Sequence, residues 1–143
     1  SPPCTEFSIA KTTGVRNLTL ANAIVKKTRQ IIDYLQPKYY CMENPVGLLR
    51  HQTYMKNLNH LRVTVSYCKY GYPYRKNTDL WTNIAFTPKA CSSVTPCKYV
   101  KQNGIHPQTV QHGRLRSGTP GTKHIADRYS IPKKLLQDIF ASV

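Results

Sequence analysis

Residues 17–47 read NLTLANAIVKKTRQIIDYLQPKYYCMENPVG, a helical pattern joined directly to a short apolar stretch. From Asn17 through Leu35 the apolar positions recur every three or four residues, which is the spacing of one face of an amphipathic helix. Pro37 ends this helix, and KYYCMEN is typical of a short buried strand that closes in an Asn-Pro turn. A helix that leads into a buried strand predicts an α/β fold.

Two more strands are predicted on the C-terminal side of this unit. LRVTVSYC (residues 61–68) alternates apolar and polar side chains, and DLWTNIAF (residues 79–86) has a similar pattern. Between them lies KYGYPYRKNT (residues 69–78), which is typical of a basic, aromatic, turn-rich hairpin or loop. Pro132 starts a last helix, whose apolar side is predicted to carry Leu135, Leu136, Ile139 and Phe140.

The chain is predicted to divide into three parts. Residues 1–86 form the α/β domain, residues 87–124 form an irregular insertion, and residues 125–143 form a helix that packs back on the domain. The insertion is inferred because periodicity is lost from residue 87 onward and Pro, Gly, Ser, His and Cys become frequent. A chain of 143 residues suits one domain with a sizeable core.

Positive charge dominates the composition. The 21 Lys and Arg against 6 Asp and Glu give a formal net charge of +15, which favours a polyanionic partner. Nucleic acid is favoured over a membrane because the sequence has no apolar run of transmembrane length and no basic amphipathic helix. The alternative is a solvated basic surface, or a piece of a larger neutral protein.

The cysteines are odd in number and widely scattered, which favours an intracellular, reducing compartment over a disulfide framework. Within the insertion, the spacing allows a zinc site, with Cys68 as an alternate ligand. The alternative is buried thiols and surface histidines. The predicted zinc ligands are Cys91, Cys97, His106 and His112.

Cys4 and Glu43 are predicted to face each other. Cys4 follows two prolines on a loop before the helix, and Glu43 lies at the end of the strand after it. Loops beyond the carboxyl ends of strands gather at one edge of an α/β sheet. A thiolate can add to an electron-poor ring while a nearby carboxyl group protonates that ring. Taken singly, Cys4 is better explained as an ordinary loop thiol and Glu43 as a helix cap or salt-bridge partner. Taken together, with this spacing, the two residues favour the catalytic interpretation.

The order of these motifs resembles the second half of a cytosine-5 DNA methyltransferase catalytic domain. The resemblance rests on PPCTEFS (residues 2–8), MENPVGLLR (residues 42–50) and VSYCKYGYPYRKNTDLW (residues 65–81), with a looser match to RYSIPKKLLQDIF (residues 128–140). It implies a partial Rossmann-like methyltransferase sheet, with the insertion corresponding to target recognition.

The resemblance also implies residue roles. Cys4 matches the nucleophile that adds to C6 of a flipped cytosine, Glu43 matches the acid that protonates N3, and Asn44 matches the residue beside that acid. The family's Gln-x-Arg-x-Arg motif falls on Tyr74, Lys76 and Thr78, so its second arginine is replaced here, and Arg75 or Lys76 stands in. Aromatic and basic residues are expected to contact the nucleic acid: Tyr72, Tyr74, Arg75, Lys76, Arg114, Arg116 and Lys123.

The methyl donor of that family is S-adenosylmethionine, and its glycine-rich strand precedes the Pro-Cys loop. No G-x-G-x-x-G occurs in the 143 residues. We therefore expect the cofactor site to be completed by another chain or by an N-terminal segment, with DNA favoured over RNA as substrate. The alternative is a non-enzymatic nucleic-acid-binding or assembly subunit that reuses the fold, and a cysteine hydrolase ranks third.

Overall fold

The computed structural model describes residues 1–100, 104–111, 118–122 and 125–143. The first element is helix α1, Leu18–Leu35. The Asn17 side chain caps its start by accepting the Leu20 N–H at 3.0 Å. At its end, Gln36 adopts a left-handed conformation (φ 44°), and the Gln36 N–H donates to the Ile32 carbonyl. The span of the predicted helix is confirmed, with capping at both ends. Its apolar face is not the predicted one, because Ala21 and Val25 are buried whereas Leu20, Ile31 and Leu35 are exposed.

Three strands form one small sheet: β1, Cys41–Pro45, β2, Arg62–Ser66, and β3, Asn77–Thr82. The strand order is β1-β3-β2, and β1 pairs antiparallel with β3. Each strand overlaps its predicted segment but has different bounds. Strand β1 runs through the predicted Asn-Pro turn to Pro45, and β2 ends at Ser66 and is followed by a 3₁₀ turn over Tyr67–Tyr70. Strand β3 begins at Asn77 and ends at Thr82, whereas residues 79–86 were predicted. The mixed helix and strand composition is confirmed, whereas the Rossmann-like sheet stays a prediction.

The chain divides into two compact units. Unit 1 comprises residues 1–63 and 78–85, and unit 2 comprises residues 64–77 and 86–143. The predicted three-part division stays a prediction.

Unit 1 is built on an apolar core to which each of its segments contributes. The N-terminal loop, α1, β1, the 3₁₀ turns between β1 and β2, and β3 all supply buried side chains, because each presents one apolar side to the others. The core residues are Phe7, Ala21, Val25, Met42, Leu49, Met55 and Trp81.

Unit 2 contains two short helices, α2, Ile125–Tyr129, and α3, Lys133–Phe140. The predicted start of α3 after Pro132 is confirmed, but its apolar side is narrower than predicted. Leu135 and Ile139 are buried, whereas Leu136 and Phe140 are exposed. Helix α2 is not predicted by the sequence pattern.

The insertion over residues 87–124 stays a prediction as a separate part of the chain. Residues 87–100, 104–111 and 118–122, the parts of it that the structure describes, contain no helix and no strand. The Lys89 ammonium connects it to α3, with 2.5 Å from Lys89 Nζ to Asp138 Oδ2.

Among the helices of the described residues, none combines the length and the apolar character needed to cross a bilayer.

Candidate functional site

The Cys4 loop is a tight turn. The Cys4 carbonyl oxygen accepts two backbone hydrogen bonds, from the Phe7 N–H at 3.1 Å and the Ser8 N–H at 2.9 Å. Phe7 is fully buried in the core of unit 1, and Cys4 itself is half-buried. The buried ring therefore anchors the turn that carries Cys4.

Two hydrogen bonds join this loop to β1. The Glu43 N–H donates to Ser1 Oγ at 3.1 Å, and the Asn44 side-chain amide donates to the Pro2 carbonyl at 3.4 Å. The segments that precede Cys4 therefore lie alongside the strand that carries Glu43. The sequence motifs PPC and MENP, far apart in the chain, come together in unit 1.

A close backbone approach extends this contact beyond the strand. Ser8 forms a bridge with Gly47, and the Leu48 N–H donates to the Phe7 carbonyl at 2.9 Å. A Cβ atom placed on Gly47 would lie 2.2 Å from the Phe7 carbonyl oxygen. Only glycine fits there, because real Cβ atoms do not approach a carbonyl oxygen so closely. The sequence pattern did not identify Gly47, although it lies within MENPVGLLR (residues 42–50).

Glu43 and Asn44 occupy opposite faces of β1, because side chains alternate along a strand. The Glu43 side chain is half-buried, whereas Asn44 is fully buried. Asn44 lies opposite Asp79 of β3. Among the described residues, Asn44 Oδ1 has no hydrogen-bond partner, which is unusual for a buried amide. Glu43 is therefore the member of the pair that reaches the more open face.

An ion pair that the sequence analysis did not identify lies on the buried face beside Asn44. The Arg50 guanidinium donates to both carboxylate oxygens of Asp79, from Nε at 2.8 Å and from Nη2 at 2.5 Å. The Asp79 side chain is 1% exposed. Such a two-point contact fixes both orientation and distance, so it holds the segment after β1 against β3.

The other glutamate, Glu6, has a structural environment. The Glu6 carboxylate accepts hydrogen bonds from Lys11 Nζ at 2.7 and 2.8 Å and from the Asn17 N–H at 2.8 Å. These donors hold the pKa of Glu6 below its ordinary value of 4.5, with the Lys11 bond the largest cause. Arg16 also donates to the Glu6 carbonyl at 2.6 Å. Glu6 therefore ties the loop after Cys4 to the start of α1.

The predicted nucleic-acid contacts have mixed surroundings in unit 2. Tyr74 is buried, and its hydroxyl donates to the Asp127 carbonyl at 2.9 Å. Lys76 Nζ donates to the Arg128 carbonyl at 2.9 Å. These two side chains contribute to packing, and any role of theirs in nucleic-acid binding stays a prediction.

Two of the remaining predicted nucleic-acid contacts, Tyr72 and Arg75, are more exposed than Tyr74. Tyr72 is half-buried and its hydroxyl is 2.8 Å from Ser130 Oγ, whereas Arg75 is exposed. The other predicted phosphate contacts lie outside the described residues: Arg114, Arg116 and Lys123.

Four potential metal ligands converge in unit 2. Their ligand atoms all lie within 4.8 Å of one another: the sulfurs of Cys68, Cys91 and Cys97 and a ring nitrogen of His106. His106 Nε2 is 3.3 Å from Cys97 Sγ and 3.8 Å from Cys91 Sγ. Three of the four predicted ligands, Cys91, Cys97 and His106, therefore lie in one cluster. Its fourth member is Cys68. The predicted ligand His112 lies outside the described residues.

The surroundings of this Cys3His cluster affect its protonation. Burial lowers the pKa of His106, and the positive charge of Arg75 lowers it further. Burial acts to raise the pKa of Cys97, but N–H donors of Tyr99 and Val100 and the neighbouring thiols outweigh it, so the net shift is downward. A neutral imidazole and a stabilised thiolate are the forms that bind metal ions.

Comparison with known proteins gives one informative match. A protein of Frog virus 3 (isolate Goorha), named probable DNA (cytosine-5)-methyltransferase, is 31% identical to this chain over 159 aligned positions. The alignment covers 97% of this chain and 71% of the viral protein. No protein-family model matches the chain.

Proposed function

Because the chain belongs to the cytosine-5 DNA methyltransferase family, we propose that it acts on cytosine in DNA, with Cys4 as nucleophile and Glu43 as acid. One observation carries this proposal. Hydrogen bonds from the Glu43 N–H and the Asn44 amide to Ser1 and Pro2 seat the Pro-Cys loop beside the strand that carries Glu43. We propose that a single pyrimidine contacts both side chains.

In the proposed reaction, the Cys4 thiolate forms a bond to C6 of the ring and the electrons of the C5–C6 double bond move toward C5. The Glu43 carboxyl donates a proton to N3, which accepts the charge that this addition creates. After methylation, water accepts the C5 proton, the C5–C6 double bond is restored and the Cys4 thiolate leaves C6. N3 then returns its proton to the Glu43 carboxylate. The base has to leave the stack for this chemistry.

Asn44 supports the site indirectly in this proposal. Its amide donates to the Pro2 carbonyl from the buried face of β1, and it lies opposite Asp79 in the pairing of β1 with β3. Asn44 is therefore a positioning residue for the Pro-Cys loop. The Arg50–Asp79 pair stabilises the same strand end.

S-adenosylmethionine supplies the methyl group in this family. The described residues contain no glycine-rich turn between a strand and a helix of the kind that holds such a cofactor. We therefore assign none of these residues to the donor, and we propose that another segment or chain holds it. The part of the reaction proposed for this chain is the activation of cytosine.

Covalent trapping tests the nucleophile without the methyl donor. In 5-azacytosine the C5 carbon is replaced by nitrogen, so thiolate addition at C6 needs no methyl transfer before an adduct forms. DNA containing this base should form a denaturant-resistant adduct with the chain, and Cys4→Ser should form none. Cys41→Ser is the matched control, because Cys41 is an exposed cysteine at the start of the strand that carries Glu43. If Cys4→Ser still forms the adduct and Cys41→Ser does not, the nucleophile is Cys41, which would contradict the proposed role of Cys4.

A second variant tests the acid. Glu43→Gln removes the proton donor and should slow adduct formation about 10²- to 10⁴-fold, which is the usual contribution of general acid catalysis. DNA affinity, measured by titration at fixed salt, should stay within a few-fold of the unmodified chain. Equal trapping rates in the two proteins would contradict the role of Glu43.

The full reaction is tested with 5-fluorocytosine DNA, S-adenosylmethionine and the segment or chain that is proposed to hold this donor. Fluorine cannot leave C5 as a proton, so the enzyme should stall as an adduct after methyl transfer. Salt-dependent DNA binding without an adduct on either modified base would support the second candidate, a non-enzymatic nucleic-acid-binding subunit. The net charge of +15 favours that candidate equally.

A further inference from the structure

We propose that Cys68, Cys91, Cys97 and His106 bind one structural zinc ion. The proposal concerns the stability of unit 2 and does not depend on the methylation proposed above. It replaces the ligand His112 predicted from sequence with Cys68, which reaches the cluster from the 3₁₀ turn after β2.

The distances fit a tetrahedral site. With Zn–S about 2.3 Å and Zn–N about 2.0 Å, a tetrahedron has edges of about 3.8 Å between two sulfurs and about 3.5 Å between sulfur and nitrogen. The separations of His106 Nε2 from Cys97 Sγ and Cys91 Sγ are 3.3 and 3.8 Å, which bracket the second value. Since all four ligand atoms lie within 4.8 Å of one another, one ion can bind every one of them after small adjustments.

The ligand set selects zinc and a structural role. Three thiolates and one imidazole are a usual donor set for structural zinc, whereas calcium and magnesium take oxygen ligands. Four protein ligands fill a tetrahedral site and leave no position for water or substrate. The ion would therefore hold chain segments together and take no part in the reaction at Cys4.

The turn at Cys97 fixes the position of this ligand. The Val100 N–H donates to the Cys97 carbonyl at 3.2 Å, and Cys97 Sγ lies 3.3 Å from His106 Nε2. Cys97 is also buried together with Cys68 and Cys91. Its sulfur is therefore held within the cluster by the local backbone.

Outer hydrogen bonds orient the three segments that carry the ligands. Ser66 Oγ accepts the Cys91 N–H at 2.9 Å, and the Ser66 N–H donates to the Lys89 carbonyl at 3.0 Å. Lys69 Nζ donates to the Pro96 carbonyl at 2.8 Å, just before Cys97. Cys91 and the residue before Cys97 are therefore held by neighbours that do not themselves bind the ion, as is usual around zinc ligands.

Packing alone gives the cluster little stability. The apolar groups packed against the three buried cysteines are the partly buried side chains of Tyr99 and Val100. The described residues of the insertion also lack helices and strands, so backbone ladders do not compensate. A bound ion would provide what a larger apolar core provides elsewhere, because zinc binding free energy acts as folding free energy in small metal-dependent domains.

Metal analysis and X-ray absorption test the site directly. The 143-residue chain, purified without added chelator, should contain about one zinc per chain, with about three sulfur ligands at 2.3 Å and one nitrogen ligand at 2.0 Å. Zinc-free protein that does not take up Zn²⁺ on titration, and whose buried thiols are all freely alkylated, would overturn the proposal. A first shell dominated by oxygen would overturn it as well.

Ligand variants identify the donors. Cys97→Ser and His106→Asn should each weaken zinc affinity by more than the roughly 10- to 100-fold expected for loss of an outer-shell partner. Cys41→Ser and His60→Asn are matched controls at exposed positions, and both should retain full zinc content. His112→Asn should also retain it. Loss of zinc in His112→Asn with retention in His106→Asn would show that the ligand set is wrong.

An outer-shell variant guards against effects of misfolding. Ser66→Ala removes the acceptor of the Cys91 N–H and should weaken zinc affinity about 10- to 100-fold while one zinc per chain still binds at saturation. Ser93→Ala, at an exposed position, should leave the affinity unchanged. Equal affinity in both serine variants would contradict the proposed orientation of Cys91.

Discussion

Units 1 and 2 hold their functional residues by different physical means. In unit 1 the Cys4 loop rests on a buried aromatic ring and on backbone hydrogen bonds to β1 and the segment after it. In unit 2 the insertion is held by a Cys3His cluster, by scattered side-chain hydrogen bonds and by one exposed ion pair. Apolar burial stabilises the first and metal chemistry is proposed to stabilise the second, so different perturbations should affect each.

Removal of zinc should have the largest effect, and it should be confined to unit 2. Structural zinc contributes on the order of 10 kcal/mol of binding free energy in small domains. Excess chelator should therefore abolish the hydrogen-exchange protection of amides in residues 89–100, while the α1 amides stay protected. Uniform loss of protection in α1 and in residues 89–100 would contradict the difference between the units.

Phe7→Ala should have the reverse effect. Truncating a buried phenylalanine costs about 3–5 kcal/mol, because a cavity replaces the ring that packs in the core of unit 1. The variant should melt at a lower temperature and lose trapping on 5-azacytosine DNA, yet keep about one zinc per chain by metal analysis. Loss of zinc in Phe7→Ala would show that the two units depend on each other.

Gly47→Ala should distinguish the effect of moving the Cys4 loop from the effect of lower stability. The new Cβ would lie 2.2 Å from the Phe7 carbonyl oxygen, so the Cys4 loop has to move, at a cost of about 1–3 kcal/mol. Gly14→Ala is the comparison, since Gly14 has a φ of 75° and no atom within 4 Å of an added Cβ. It should cost about 1–2 kcal/mol through backbone strain. Both variants should lower the melting temperature, but only Gly47→Ala should slow adduct formation.

Glu6→Gln should have the smallest effect, visible only as a change in pH dependence. The pKa of Glu6 is lowered by folding, so its contribution is fully present above the ordinary value of 4.5 and is lost as pH falls through the lowered pKa. Glu6→Gln should therefore differ from the unmodified chain in melting temperature at neutral pH, and this difference should shrink in acid. Lys11→Met should behave in the same way. If the melting temperatures of all three proteins depend on pH in the same way, the Glu6 carboxylate does not contribute to stability.

Local signals in the sequence were sufficient for much of the fold. Helix α1 was predictable because its apolar spacing, its Asn17 cap and the proline after it are all adjacent in sequence. Helix α2 was missed because it is a five-residue helix with no clear apolar repeat. Burial of only Leu135 and Ile139 in α3 depends on what packs against the helix, which a pattern within the helix does not contain.

The candidate site was predictable in its residues but not in its supports. Cys4 and Glu43 were selected by residue type and by their places beside predicted elements. Gly47 and the Arg50–Asp79 pair depend on contacts between distant segments, so no local pattern reveals them. In the metal cluster, Cys68 lies across β3 from the insertion, whereas His112 is nearer in sequence to the other ligands. Sequence spacing therefore favoured His112 although the fold brings Cys68 to the cluster.

The ion pairs of the fold have a consequence for how the protein behaves in solution. Glu6, Asp79 and Asp138 are each bound to a Lys or Arg within their own unit, yet the chain has 21 Lys and Arg against 6 Asp and Glu. Most cations therefore repel one another in the folded state. For the chain alone, added salt should raise the melting temperature by screening this repulsion. With a bound polyanion, salt should lower it by weakening the complex. The melting temperature of this protein therefore depends on its counterions. Whether added salt raises or lowers that temperature indicates whether a polyanion is bound.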